Sequence, residues 1–187
     1  MRKVIAAINM TINGNCDHRI GIVDEELHSH YTNLLSEADD ILYGRITFQL
    51  MEYWRGILQN PTGNKSEDNF AVTIDQINKI VFSNSLKNVD WKTARLSNLS
   101  LEEEINELKK NSGKNILIGS RSLIIQALKL NLIDEFQLCI HPIIADKGLQ
   151  LFENWEEQKT LKLKQTKTFE SGAIILSYDT KSRKNPN

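Results

Sequence analysis

Short apolar runs alternate with amphipathic stretches over the first 130 residues, and this alternation is the main structural signal in the chain. Residues 4–8 are apolar on both faces rather than every second position, the pattern of an interior strand. A polar loop follows through Gly21. Asp24 can cap a helix on which Leu27, Tyr31, Leu34 and Leu35 share one side, with Glu25 and Glu26 suited to its first turn. Residues 41–43 predict a second strand, followed by a helix from about Arg45 to Trp54. Gly56, Pro61 and Gly63 mark 55–68 as a surface loop. Residues 79–82 form a third strand ending at Ser83-Asn84-Ser85. Ser100 and Glu103 have capping-box spacing, and Leu101, Ile105 and Leu108 give the following helix an apolar face. A turn at Gly113-Lys114 leads into a strand over 115–118 and then a helix lined by Leu123, Ala127 and Leu130. Strands alternating with helices in this way predict an α/β protein whose parallel sheet is covered by helices.

The last third reads differently. Residues 135–140 form a strand leading to His141-Pro142, Leu161 and Leu163 alternate with lysines, and 166–169 faces 173–178 across the turn Glu170-Ser171-Gly172. That final pair has hairpin signals. The predicted sheet is therefore mixed, mostly parallel with an antiparallel C-terminal edge. At 187 residues and 40% apolar content the chain fills one core rather than two. The expected organisation is a single domain over 1–180 and a polar tail over 181–187.

Charge and composition narrow the possible partners. A formal net charge of -1, with both signs dispersed, gives no basic field for nucleic acid. No segment reaches the roughly 18 apolar residues of a membrane span, and 4–8 is too short for a signal sequence, so a cytoplasmic location is expected. Cys16, Cys139 and the four histidines show no metal-ligand spacing, and no metal is expected. Cys139 reads as a buried small hydrophobe, while Cys16 could be reactive only with a depressed pKa.

Two strand-to-helix junctions carry candidate chemistry. At the first, Gly44 permits close approach, Arg45 supplies a charged fork and Thr47 offers a hydroxyl at a helix start; at the second stand Gly119, Ser120 and Arg121. Both could present backbone N–H groups to a cofactor phosphate, and both could equally be ordinary turns, with Arg45 snorkelling and a serine capping. Ser83 and Asn84 could meet an adenosine or close a turn. Neither the G-x-G-x-x-G fingerprint nor the G-x-x-x-x-G-K-[ST] loop occurs. Asn13-Gly14 is a ready turn whose functional reading is a loop tip facing a substrate. Trp54 could wall a ligand or serve the core, and His141 could line a pocket or be structural.

The succession of 6–14 (Ala-Ala-Ile-Asn-Met-Thr-Ile-Asn-Gly), 42–48 (Leu-Tyr-Gly-Arg-Ile-Thr-Phe), 79–83 (Lys-Ile-Val-Phe-Ser) and 116–120 (Ile-Leu-Ile-Gly-Ser) resembles the dihydrofolate-reductase-like family. The likeness is closer to the C-terminal reductase domain of the riboflavin-biosynthesis deaminase/reductase and its stand-alone relatives. It implies a mixed sheet of about eight strands with helices on both faces, NADPH as cofactor, and hydride transfer to a small heterocyclic or sugar-linked substrate. It also implies that the backbone around Ala7 contacts the nicotinamide carboxamide, and that Gly44, Arg45 and Thr47 flank the phosphates. Ser83 and Asn84 would meet the adenosine, with Gly119, Ser120 and Arg121 forming the pyrophosphate turn. Asn13, as the catalytic candidate, and Gly14 would lie near the nicotinamide and substrate, with Trp54 and His141 as substrate-side candidates. Relatives usually show aspartate where Asn13 stands and Gly-Gly where Gly119-Ser120 stands. The alternatives are the riboflavin-pathway pyrimidine reductase, dihydrofolate reductase proper, or a nucleotide-binding relative without turnover. A homodimer is implied by the same resemblance.

Overall fold

The computed structural model describes residues 1–181; the predicted tail, apart from Lys181, lies outside them. Strands β1 (Val4–Thr11), β2 (Ala38–Gly44), β3 (Asn78–Phe82), β4 (Ala94–Leu96), β5 (Asn115–Ile118), β6 (Glu135–His141), β7 (Lys162–Thr168) and β8 (Ile174–Asp179) form one sheet in the order β4-β3-β2-β5-β1-β6-β8-β7. Pairing is parallel from β4 through β6, whereas β8 runs antiparallel to both β6 and β7. The mixed sheet with its antiparallel C-terminal edge is thus as the sequence predicts.

Alternation along each strand assigns side chains to two layers. Val4, Ala6, Leu42, Ile116 and Ile118 pack with Leu101 and Ile105 of α5 (Leu101–Lys110) and Leu123, Ile124 and Ala127 of α6 (Arg121–Lys129). Ile5, Ile41, Tyr43, Leu117 and Val81 pack on the opposite face. Their partners are Leu34 and Leu35 of α1 (Glu25–Ser36), Phe48 of α2 (Arg45–Met51), Trp54 of α3 (Tyr53–Gln59) and Ile74 of α4 (Lys65–Gln76). Burial on both sides explains why the central strands read as unbroken apolar runs.

Several elements depart from expectation. Strand β1 continues past Ile8, because Asn9 and Thr11 remain in the parallel ladder opposite Cys139 and His141. The helix expected over 45–54 breaks at Glu52, and 55–68 is largely helical rather than loop. Gly56 sits inside α3, and Asn64 caps α4 by accepting from the Ser66 N–H at 3.0 Å. Strand β4, three residues on the sheet edge, has no apolar run to announce it.

The amino end of the sheet is stitched by Arg2, only 6% exposed. Its Nε donates to the Lys114 carbonyl at 2.6 Å, its Nη1 to the Leu108 carbonyl at 3.2 Å, and its guanidinium pairs with Asp40 of β2. Arg2→Met would leave the Asp40 carboxylate buried without its cation, which typically costs about 3 kcal/mol or more. Urea unfolding should show a loss of that size; an unchanged midpoint would refute the role given to this pair.

Candidate functional site

At the carboxyl ends of β1, β2, β5 and β6 the sheet opens into a cavity of about 620 Å³, the position where open α/β sheets place their ligands. Ala7 and Asn9 contribute from β1, Ile41 and Tyr43 from β2, Leu117 and Gly119 from β5 and its junction, and His141 from β6. Helix α1 adds His28 and Tyr31, and α3 and α4 add Trp54 and Phe70. The segment carrying Ile20, Gly21 and Val23 closes one side. Trp54 packs on Phe70 with ring centroids 4.6 Å apart, and His28 meets Trp54 edge-on at 5.8 Å.

A buried polar cluster lies at the β1–β6 side. His141 is fully buried; its Nδ1 accepts from the Ile22 N–H at 3.2 Å, which places the ring proton on Nε2, 3.1 Å from Oδ1 of Asn9. The Tyr31 hydroxyl donates to the same oxygen at 2.9 Å. Two donors on Oδ1 fix the carboxamide orientation, and its Nδ2 has no acceptor among the described residues. Burial lowers the pKa of His141 and of His28, raises that of Tyr31 and pushes the Cys139 thiol up to about 11. The cluster is therefore uncharged at neutral pH.

The two strand-to-helix junctions meet at one edge, because β2 and β5 are neighbours with Leu42 opposite Ile118. Oγ of Ser120 accepts from the Gly44 N–H at 2.8 Å and so links them. Turned to Gly44, that hydroxyl does not cap α6, and Gly44 offers none to α2; neither helix has a side-chain cap. The first-turn amides are thus left for another acceptor. A Cβ on Gly119 would stand 2.8 Å from the Tyr43 ring, so glycine is required by close approach. Arg121 points elsewhere: Nε donates to the Gln150 carbonyl at 2.6 Å and Nη2 to Glu153 at 3.1 Å. Arg45 is exposed, its Nη1 donating to Gln49 Oε1 at 3.1 Å, and Thr47 lines the cavity. The register sets Gly44 opposite Phe82, so α2 and the 83–85 turn both follow from the same end of the β2–β3 pair. Oγ of Ser83 accepts from the Ser85 and Leu86 amides, a turn in its own right, and Asn84 is exposed.

Of the loop candidates, neither Asn13 nor Gly14 lines this cavity. The Asn13 side chain is engaged by the loops: Oδ1 accepts from Thr11 Oγ1 at 2.8 Å and the Ala145 N–H at 3.1 Å, while Nδ2 donates to the Ala145 carbonyl at 2.7 Å. It clamps the loop after β1 to the loop after β6. Gly14, at φ +81°, closes the turn by donating to the Thr11 carbonyl at 2.9 Å. Burial raises the pKa of Cys16, so it lacks the depressed pKa of a reactive thiol. Among the described residues no group of three or more His, Cys, Asp or Glu side chains could hold a metal ion, and no helix is long and apolar enough to cross a membrane. Sequence reasoning missed Asn9, Tyr31, His28 and Phe70 as site residues. Asn9 had a signal, a lone amide at an alternate position of an otherwise apolar strand.

The pattern of the RibD C-terminal domain family matches residues 2–175. The uncharacterized protein YyaP of Bacillus subtilis (strain 168) is 34% identical over 181 residues, 95% of this chain and 94% of that protein. A putative riboflavin biosynthesis protein from Shewanella sp. PV-4 superposes with a TM-score of 0.72 at 18% identity, covering 97% of this chain and 100% of that one. Acinetobacter baumannii RibD superposes with a TM-score of 0.69 at 14% identity, covering 96% of this chain and 58% of that one.

Buried neutral histidines tie stability to pH. His141 and His28 have lowered folded pKa values, so the unfolded chain takes up protons first as pH falls below its ordinary histidine value of about 6.5. Stability is full above that value and declines as pH drops through the depressed folded values. The urea midpoint should fall between pH 7.5 and about 5.5, and His141→Asn should flatten that decline; an identical slope in the variant would contradict the assignment.

Proposed function

The chain belongs to the RibD C-terminal domain family, and on that premise we propose that it is an NADPH-dependent reductase transferring hydride to a small heterocyclic or sugar-linked acceptor held in the cavity. The observation that carries this reading is the single edge at which the cavity, two uncapped helix starts and the Ser120–Gly44 link come together. The residues present fit the cofactor. Ala7 keeps the floor low where the nicotinamide carboxamide would lie against backbone, and Gly119 lets the chain pass close to Tyr43. The amides following Gly119 and Ser120, that of Arg121 included, would take the pyrophosphate, since the Arg121 side chain is engaged elsewhere. Gly44, Arg45 and Thr47 would flank the phosphates from α2, with Ser83 and Asn84 on the adenosine side. When bound, NADPH supplies the hydride.

The protein's own part is to exclude water and fix the two rings. Tyr43, Leu117 and Trp54 keep the site apolar, and Asn9 supplies an oriented donor. Asn13 and Gly14 would act from the rim by holding the loop, rather than on the reacting atoms. Assembly as a homodimer belongs to the same proposal and rests on the resemblance, and residence in the cytoplasm belongs to it on the sequence pattern.

Isothermal titration calorimetry with both nucleotides tests the reading. NADPH should bind at least about tenfold tighter than NADH, and Arg45→Ala should remove most of that preference. Ala7→Leu, which fills the floor, should weaken NADPH by about tenfold or more while urea unfolding shows a folded protein. A folded wild-type protein that binds neither nucleotide would overturn the proposal.

A further inference from the structure

Within that reading, we propose that the hydride acceptor is an uncharged flat ring system, free of phosphate and carboxylate groups, that presents a carbonyl oxygen or ring nitrogen to Nδ2 of Asn9. Among the described residues, those lining the cavity include no Lys, Arg, Asp or Glu, and the lining His18 stands 3.5 Å from the Asp17 carboxylate. An anionic group brought inside would lose its hydration without meeting a cation, which is costly in an apolar enclosure. The cations adjacent in sequence to lining residues are engaged elsewhere. Arg19 is paired with Asp17, and the Arg55 guanidinium stands 5.6 Å from the centroid of the Trp91 ring. His28 and His141 are kept neutral by burial.

What the cavity does offer is flat apolar surface and, beside the rotatable hydroxyls of Tyr43, Thr47 and Tyr53, a donor whose direction the protein fixes, Nδ2 of Asn9. Tyr43, Trp54 and Phe70 present rings against which a planar acceptor can pack. The Asn9 carboxamide cannot rotate its oxygen inward without losing the Tyr31 and His141 donors, so its N–H groups are what remains for a ligand. A donor held in this way selects an acceptor atom on the ring and rejects rings that lack one.

The test is calorimetric titration of the full chain with quinoxalin-2-one and with its 3-carboxylate, each with and without NADPH. The neutral lactam should bind at least about tenfold tighter than the carboxylate. Asn9→Asp, which keeps an oxygen for Tyr31 and His141 but removes the donor, should weaken the lactam by about tenfold. In Tyr53→Arg, which places a cation at an exposed lining position, carboxylate affinity should rise and the preference narrow. Equal or tighter binding of the carboxylate by the wild type, binding of neither compound, or a lactam affinity unchanged by Asn9→Asp would each overturn the proposal. Because nucleotide binding is measured in separate titrations, a protein that prefers the lactam but ignores NADPH would refute the reductase reading and leave the ring preference standing.

Discussion

The structure depends on one constraint: β1, at the centre of a parallel sheet, must be covered on both faces, and toward its carboxyl end the cover on one face gives way. Val4, Ile5 and Ala6 are sealed between the helical layers. Two positions further on, the α1 side carries Ala7 and then Asn9 in place of large apolar side chains, and the cavity occupies the volume they leave. The opposite end of the sheet shows the contrary solution, with Arg2 buried and its guanidinium spent on Asp40 and two carbonyls. One end is stitched shut and the other is left open to a ligand.

The open end is shaped by side chains that satisfy one another and leave chosen groups over. Ser120 answers the Gly44 amide and does not cap its own helix. Tyr31 and His141 both answer Oδ1 of Asn9, which orients the remaining donor. In each case a hydrogen bond inside the protein decides which atom is available outside it. Such sites combine a rigid frame with few directed polar groups, as small-molecule pockets generally do.

Much of the fold was legible because it rests on local patterns. The apolar runs of β2, β3, β5 and β6, the Asp24 cap and the Ser100–Glu103 capping box all appear where their residues predict them. The region 55–68 reads as a loop because Gly56 and Gly63 resemble loop punctuation, while the burial of Ile57, Ala71 and Ile74 that holds α3 and α4 is a tertiary effect. The site divides in the same way. Gly119 stands out from junction chemistry and Ala7 from family likeness, and both line the cavity. Asn9 and Phe70 became visible only when the sheet and α4 brought them to one cavity. Asn13 drew notice as a turn residue, yet both side-chain ends serve loop geometry.

The most direct measurement is a nuclear Overhauser experiment on protein with isotope-labelled alanine methyl groups in the presence of saturating NADPH. The account predicts a cross-peak between the Ala7 methyl and the nicotinamide ring protons, absent in an Ala7→Gly control. Folded protein whose Ala7 methyl neither shifts nor shows that contact would contradict a nicotinamide seated on the floor of this cavity.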